Sequence, residues 1–174
     1  MVAKASENVE NVEEVQAEVV DQEAEAASAR RANAGEIISS SVKWSAAAGL
    51  IPMPYRDVIG LGAVQVQMVM DITRLYEKQV QEEAVRGSIA ALLGTIAPAG
   101  LSGAVAGSSV KLIPVIGTLV GGLSLSALGA ASTYAVGKVF VEHFEKGGTL
   151  ANFSVDSVKD EFKKAFEKKA KAES

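Results

Sequence analysis

The chain has no cysteine and a single histidine. Without thiols there is no disulfide framework, no thiolate metal site and no cysteine nucleophile. With one imidazole, neither a histidine metal cluster nor a Ser-His-Asp triad can be assembled, unless it centres on His143. Aromatic residues are scarce at 5%, with one Trp, and prolines number four. The 48% hydrophobic content therefore comes from Ala, Val, Leu and Ile, with 16 glycines beside them in 174 residues. That mixture is unlike a disordered chain, and the length suits one core. An enzyme is not expected from it.

A strong charge of either sign is also missing, since the net charge is only −4. The total hides a partition: residues 1–36 carry nine acids against Lys4, Arg30 and Arg31, while residues 37–142 and 143–174 are each +1. No region is basic enough for a nucleic-acid footprint. The first 35 residues have no apolar run and no basic lead-in, so neither a secretory nor a transit peptide is expected, and the chain is expected to start in the cytosol. Val9, Val12, Val15, Val19 and Ala26 make a thin apolar stripe among acids. Residues 1–35 read as an acidic, mobile or weakly helical arm. Asn33-Ala34-Gly35 is the expected break before the folded region.

Residues 36–150 read as a helical domain. A first helix is expected over Glu36–Leu50, with Ile37, Ile38, Val42 and Trp44 close to one face. Pro52 and Pro54 bias the residues before them away from the α region, so the chain turns there. Asp57 then suits the first turn of a helix running to about Glu83, where a carboxylate favours the positive end of the dipole. Val58, Leu61, Val64, Met68, Ile72, Leu75 and Tyr76 follow three-four spacing, and Met68 and Met70 read as core. Gln65, Asp71, Arg74 and Lys78 are expected on another face. Together Pro52, Pro54, Arg56, Asp57, Gln65 and Asp71 make a candidate interaction surface.

Residues 87–110 and 112–137 hold no charged residue, and each stretch is long enough to cross a bilayer. Pro98 interrupts the first, and Gly, Ala and Ser weaken its hydrophobicity. Gly103/Gly107 and Gly117/Gly121 recur four apart, with a neighbouring row through Gly122, Ser126 and Ala130, so helix packing is assigned to Gly103, Gly107, Gly117, Gly121, Gly122 and Ser126. Such rows allow close backbone approach in lipid or in a soluble bundle. Arg86 and Lys138 flank the pair as a hairpin with both ends in the cytoplasm would require, although Lys111 would have to reach the far side.

Residues 151–174 read as a lysine-rich amphipathic helix. Ser154 is placed to cap it, and Phe153 and Val158 sit where a hydrophobic staple requires them. Val155, Val158, Phe162, Phe166 and Ala170 mark one face, with six lysines on the rest. The helix can dock on the bundle, enter a partner's groove or lie on an anionic membrane, and docking is the first expectation.

No catalytic signature is present. The chain has no GxxxxGK[ST] and no GxSxG, Gly60-Leu61-Gly62 lacks the third glycine of GxGxxG, and His143 lacks the second histidine of HExxH. Asp57 and Asp71 lie about 21 Å apart along a helix, too far for a carboxylate pair. No catalytic, cofactor-binding or metal-binding residue is assigned. Leu50-Ile51-Pro52 and Leu112-Ile113-Pro114 each precede a long Gly-marked helix ending in Leu75-Tyr76-Glu77 and Phe144-Glu145, which raises the option of two related helical units of roughly 60 residues. The fold expected is all-α: a bundle of long helices with a Gly/Ala-rich apolar hairpin and an amphipathic C-terminal helix.

Residues 36–150 resemble the bacterial family called domain of unknown function 697. The resemblance rests on the Ile51-Pro52-x-Pro54 turn, on Asp57, Gln65 and Met68 after it, on Ile113-Pro114-x-Ile116-Gly117, and on Thr133-Tyr134-Ala135-Val136-Gly137. It implies an all-helical, membrane-associated domain, often beside or fused to a small GTPase, with no catalytic residues to carry over. No GTPase motif is present in this chain, so nucleotide dependence is expected to act in trans. Three classes of function follow: a membrane-associated adaptor for a GTPase, a soluble homo-oligomeric scaffold, and a pore-forming or membrane-remodelling protein. The first implies the cytoplasmic face of the inner membrane or an embedded hairpin, and the second the cytoplasm.

Overall fold

In the computed structural model, which describes residues 2–48, 57–96 and 125–173, helix α1 is Val2–Ala48. It has no break at Asn33-Ala34-Gly35, against the sequence expectation. One glycine inside a helix costs about 1 kcal/mol relative to alanine, and the Glu, Ala and Arg residues around it are strong helix formers. No side chain crowds Gly35 either. The chain nevertheless divides into two compact units, Met1–Asn33 and Ala34–Ser174. The first is helical from Val2, with Val19 and Val20 exposed.

The second unit is an all-α bundle. After the α1 segment from Ala34 come α2 (Asp57–Leu75), α3 (Glu82–Gly94), α4 (Leu125–Glu145), a 3-10 turn (Leu150–Asn152) and α5 (Val155–Ala172). Ala34 and Ile38 of α1 are buried, but Trp44 is 69% exposed, which corrects its placement on the apolar face. At 100° per residue Trp44 lies about 120° around the helix from Ile38.

Helix α2 stops at Leu75 and not near Glu83. Lys78 N–H bonds to the Thr73 carbonyl at 2.8 Å and Glu77 N–H to that of Arg74 at 3.0 Å, with Glu77 at φ 55°. That is a Schellman ending, in which a non-glycine residue takes the left-handed position. Helix α4 ends in the same way at Gly147 (φ 78°), with Gly148 N–H on the His143 carbonyl and Gly147 N–H on that of Phe144, both 2.9 Å. The two helices run parallel, because Gln65 meets Ser132 and Thr133 while Tyr76 meets Phe144 and Glu145 further along. The short turn from Tyr76 to Gln81 sends α3 back along α2, and the link after Glu145 sends α5 back along α4.

The core is drawn from every helix of this unit. Met68 and Ile72 of α2, Val85 and Leu92 of α3, Val136 and Phe140 of α4, and Phe162 of α5 are almost fully buried. Each contributes about 1.5–3 kcal/mol by leaving water. The tail helix docks as expected, burying Val158, Phe162, Phe166 and Ala170. Ser154 occupies its N-cap in extended conformation without a side-chain capping bond, and Phe153 stacks on Phe140 with centroids 4.7 Å apart.

The ends of the uncharged stretches belong to this core. Ile89 and Leu92 of α3 and Ala127, Ala131 and Ala135 of α4 pack against protein, so residues 87–94 and 125–137 are helix in a bundle, not free arms of a hairpin. No helix among the described residues is long and apolar enough to cross a membrane. Gly103, Gly107, Gly117, Gly121 and Gly122 lie outside the described residues, as do Pro52, Pro54 and Arg56.

Candidate functional site

The unusual feature of this core is a polar seam where α1, α2 and α4 meet. Ser45, Gln65, Ser132 and Thr133 are all buried. Helical spacing explains the convergence: Gln65 precedes Met68, Val69 and Ile72 by three, four and seven residues, so it occupies the apolar stripe of α2. The sequence reading placed Gln65 with Asp71 on a second, polar face. The structure corrects this, with Gln65 only 1% exposed.

Within the seam, Gln65 Nε2 donates to Ser132 Oγ at 3.1 Å and to Thr133 Oγ1 at 3.3 Å. Ser45 and Thr133 share a hydroxyl hydrogen bond of 2.8 Å, and Ser132 Oγ donates to the Gly129 carbonyl at 3.1 Å. Among the described residues Gln65 Oε1 has no partner. A buried acceptor left in that state costs about 1–3 kcal/mol. No imidazole or carboxylate takes part in these bonds, so nothing in the set would deprotonate a hydroxyl. The seam fixes the register of three helices.

Small residues let α1 approach. Ser126, Ala130, Thr133 and Gly137 recur at intervals of four, three and four along α4. Ser126 Oγ donates to the Ala46 carbonyl at 2.9 Å, Thr133 bonds Ser45, and Gly137 lies under Ile38. A Cβ on Gly137 would fall 2.6 Å from Ile38 Cγ1 and 3.1 Å from Met68 Sδ. Of these, the sequence reading placed Ser126 and Ala130 in one small-residue row and assigned packing to Ser126. Continuing that row to Thr133 and Gly137 would have found the others.

Asp57 opens α2, and Asp71 lies further along it on the exposed side. Asp71 accepts from Arg74 at 2.6 Å and from Gln67 Nε2 at 2.9 Å. At the far end of the bundle Tyr76 donates to Glu145 Oε1 at 2.5 Å. His143 Nε2 lies 2.9 Å from the Thr149 carbonyl and 3.1 Å from Asn152 Oδ1, two acceptors, so that nitrogen carries the proton. Its ring lies against Gly148 and edge-on to Phe153, a structural position for the lone histidine.

A groove of about 240 Å³ between α4 and α5 is lined by Tyr134, Lys138, Glu142, Glu161, Lys164 and Lys168. The Glu142 carboxylate, 2.9 Å from Lys138 Nζ, holds that ammonium's pKa above the ordinary lysine value against a smaller opposing effect of burial. Among the described residues no three acidic or histidine side chains come together as metal ligands.

The model of the family described as domain of unknown function 697 matches residues 14–171. The chain belongs to that family. The match takes in most of the acidic segment and the lysine-rich helix, both of which the sequence reading left outside residues 36–150. A relative from Magnetospirillum gryphiswaldense, magnetosome membrane protein 22, is 38% identical over 135 residues, covering 78% of this chain and 69% of its own. No solved structure matches the chain.

Proposed function

We propose that the chain is a non-enzymatic adaptor that associates with a membrane and works with a GTPase in trans. The observation that carries the membrane half is the 38% identity over 135 residues to a protein named for the magnetosome membrane. It is supported by the sequence of residues 97–124, in which Lys111 is the lone charge. The adaptor half draws on the family resemblance and on the seam, whose bonds fix helices without offering a proton acceptor. Residues Pro52 to Asp71 remain the proposed contact for the GTPase, with Gln65 now a support of that helix from within. Separation of membranes from cytosol by ultracentrifugation at physiological ionic strength, from cells making the full chain, tests the first half, and recovery of the chain in the supernatant would refute it. Capture of a GTPase by the wild-type chain, reduced by Asp57→Lys with Asp71→Lys, tests the second.

A further inference from the structure

We propose that one end of the bundle sits on the surface of an anionic bilayer with Trp44 in the headgroup layer. This rests on the membrane half of the reading above and adds which face makes contact. The end in question is where α1, α3 and α5 finish and α2 and α4 begin. Antiparallel pairing puts α1 there: Ile38 meets Gly137, Ser45 meets Thr133, and Ala46 meets Ser126. Helices α2 and α4 run parallel, and α3 and α5 run back along them, so the ends of α1, α3 and α5 and the starts of α2 and α4 share this end.

Three observations on the described residues agree with that orientation. Trp44, one turn from the end of α1, is 69% exposed, and Lys43 beside it is exposed too. Burial in the core therefore does not account for the indole, and an apolar ring with a polar N–H suits the boundary between lipid and water. Helix α5 is polarised in charge: residues 155–162 carry Asp156, Asp160 and Glu161 against Lys159, whereas residues 163–172 carry five lysines against Glu167. Because α5 runs back along α4, its basic half approaches the Trp44 end. Lys163, Lys164, Lys168 and Lys171 are exposed there. At the opposite end the α2–α3 turn, the start of α3 and the α4 terminus carry Glu77, Glu82, Glu83 and Glu145 against Lys78, Arg86 and Lys146, and the nearby start of α5 adds Asp156, Asp160 and Glu161 against Lys159. Even with Asp57, Glu167 and Glu173 counted at the Trp44 end, Lys43 and the five lysines of α5 leave it net positive while the opposite end is net negative, so an anionic bilayer favours the Trp44 end.

Trp44 is the sole tryptophan, so its emission reports this end in the unmodified full chain. The expected result is flotation with phosphatidylglycerol-phosphatidylcholine vesicles, a blue shift of Trp44 emission, and quenching by lipids brominated near the headgroup in place of aqueous iodide. Lys168→Glu with Lys171→Glu should weaken binding about tenfold or more, since each basic residue near the surface contributes about a factor of five. Glu82→Lys with Glu83→Lys should not weaken it. Flotation with Trp44 still open to iodide would overturn the orientation and leave the membrane reading standing. Protection of Trp44 without vesicles, in a species of dimer size, would assign the face to a second copy and overturn it as well. Failure to float both with phosphatidylglycerol-phosphatidylcholine vesicles and with vesicles of phosphatidylcholine alone would remove the membrane reading and this proposal together.

Discussion

Replacing Gly137 by Ala should destabilise the bundle, although the same change inside a helix ordinarily does the reverse. An alanine in a helix interior is favoured over glycine by about 1 kcal/mol. Gly87, inside α3 with no atom within 4 Å of where an alanine Cβ would stand, should show that gain. At Gly137 the new Cβ would lie 2.6 Å from Ile38 Cγ1 and 3.0 Å from its Cδ1, well inside van der Waals contact. Met68 can rotate away, but Ile38 is β-branched and held in one χ1 well by its helix. Relief must come from moving α1 away from α4, and overpacking of this kind costs about 1–3 kcal/mol. The net expectation is a loss of about 1 kcal/mol for Gly137→Ala, set against a gain of similar size for Gly87→Ala. Urea denaturation of the full chain, followed by circular dichroism, measures both. In an Ile38→Ala background the crowding atoms are absent, so Gly137→Ala should change sign and become stabilising. If Gly137→Ala stabilises the wild-type chain as much as Gly87→Ala does, the close approach of α1 to α4 is refuted.

Gln65→Met removes the unpartnered buried oxygen while leaving Ser45 bonded to Thr133 and Ser132 to Gly129, so stability should hold or rise by up to about 1 kcal/mol in the same denaturation. Gly147→Ala forces a side chain into the left-handed region and should cost about 1 kcal/mol, whereas Glu77→Gly relieves that strain and should be neutral or mildly stabilising; equal effects would refute the paired Schellman endings. The Lys138–Glu142 pair raises the folded-state pKa of the lysine, so its contribution is complete below the ordinary lysine pKa and fades as pH rises through the raised value. A Glu142→Gln comparison should therefore show a constant stability difference near neutrality that closes only in strongly alkaline buffer. Isothermal titration of the full chain with GTP should show no saturable binding, because no phosphate-cradling motif is present; micromolar binding would contradict the proposal that nucleotide acts through a partner.

Much of the fold was legible because periodicity states which residues share a helix face. The tail helix shows this: Val158, Phe162, Phe166 and Ala170 are spaced for one face, and that face is buried. The all-α class followed from the same repeats and from the turn residues between them. Periodicity was less informative for Gln65, whose polarity suggested solvent although its position lies in the stripe of Met68 and Ile72. The end of α2 was hidden for a different reason, since Glu77 adopts a conformation for which glycine is the usual signal.

The sequence by itself determined the helical class, the apolar tail face and the uncharged stretches, because each is a property of neighbours within a few residues. Tertiary structure decided which faces became interior. Trp44 and Ser45 are adjacent in α1, yet one is exposed and the other buried, because Thr133 arrives beside Ser45 from 88 residues away. Likewise Gly137 is only one glycine among 16 until Ile38 is laid across it. Local spacing assigns side chains to a face, whereas burial depends on which distant helix covers that face.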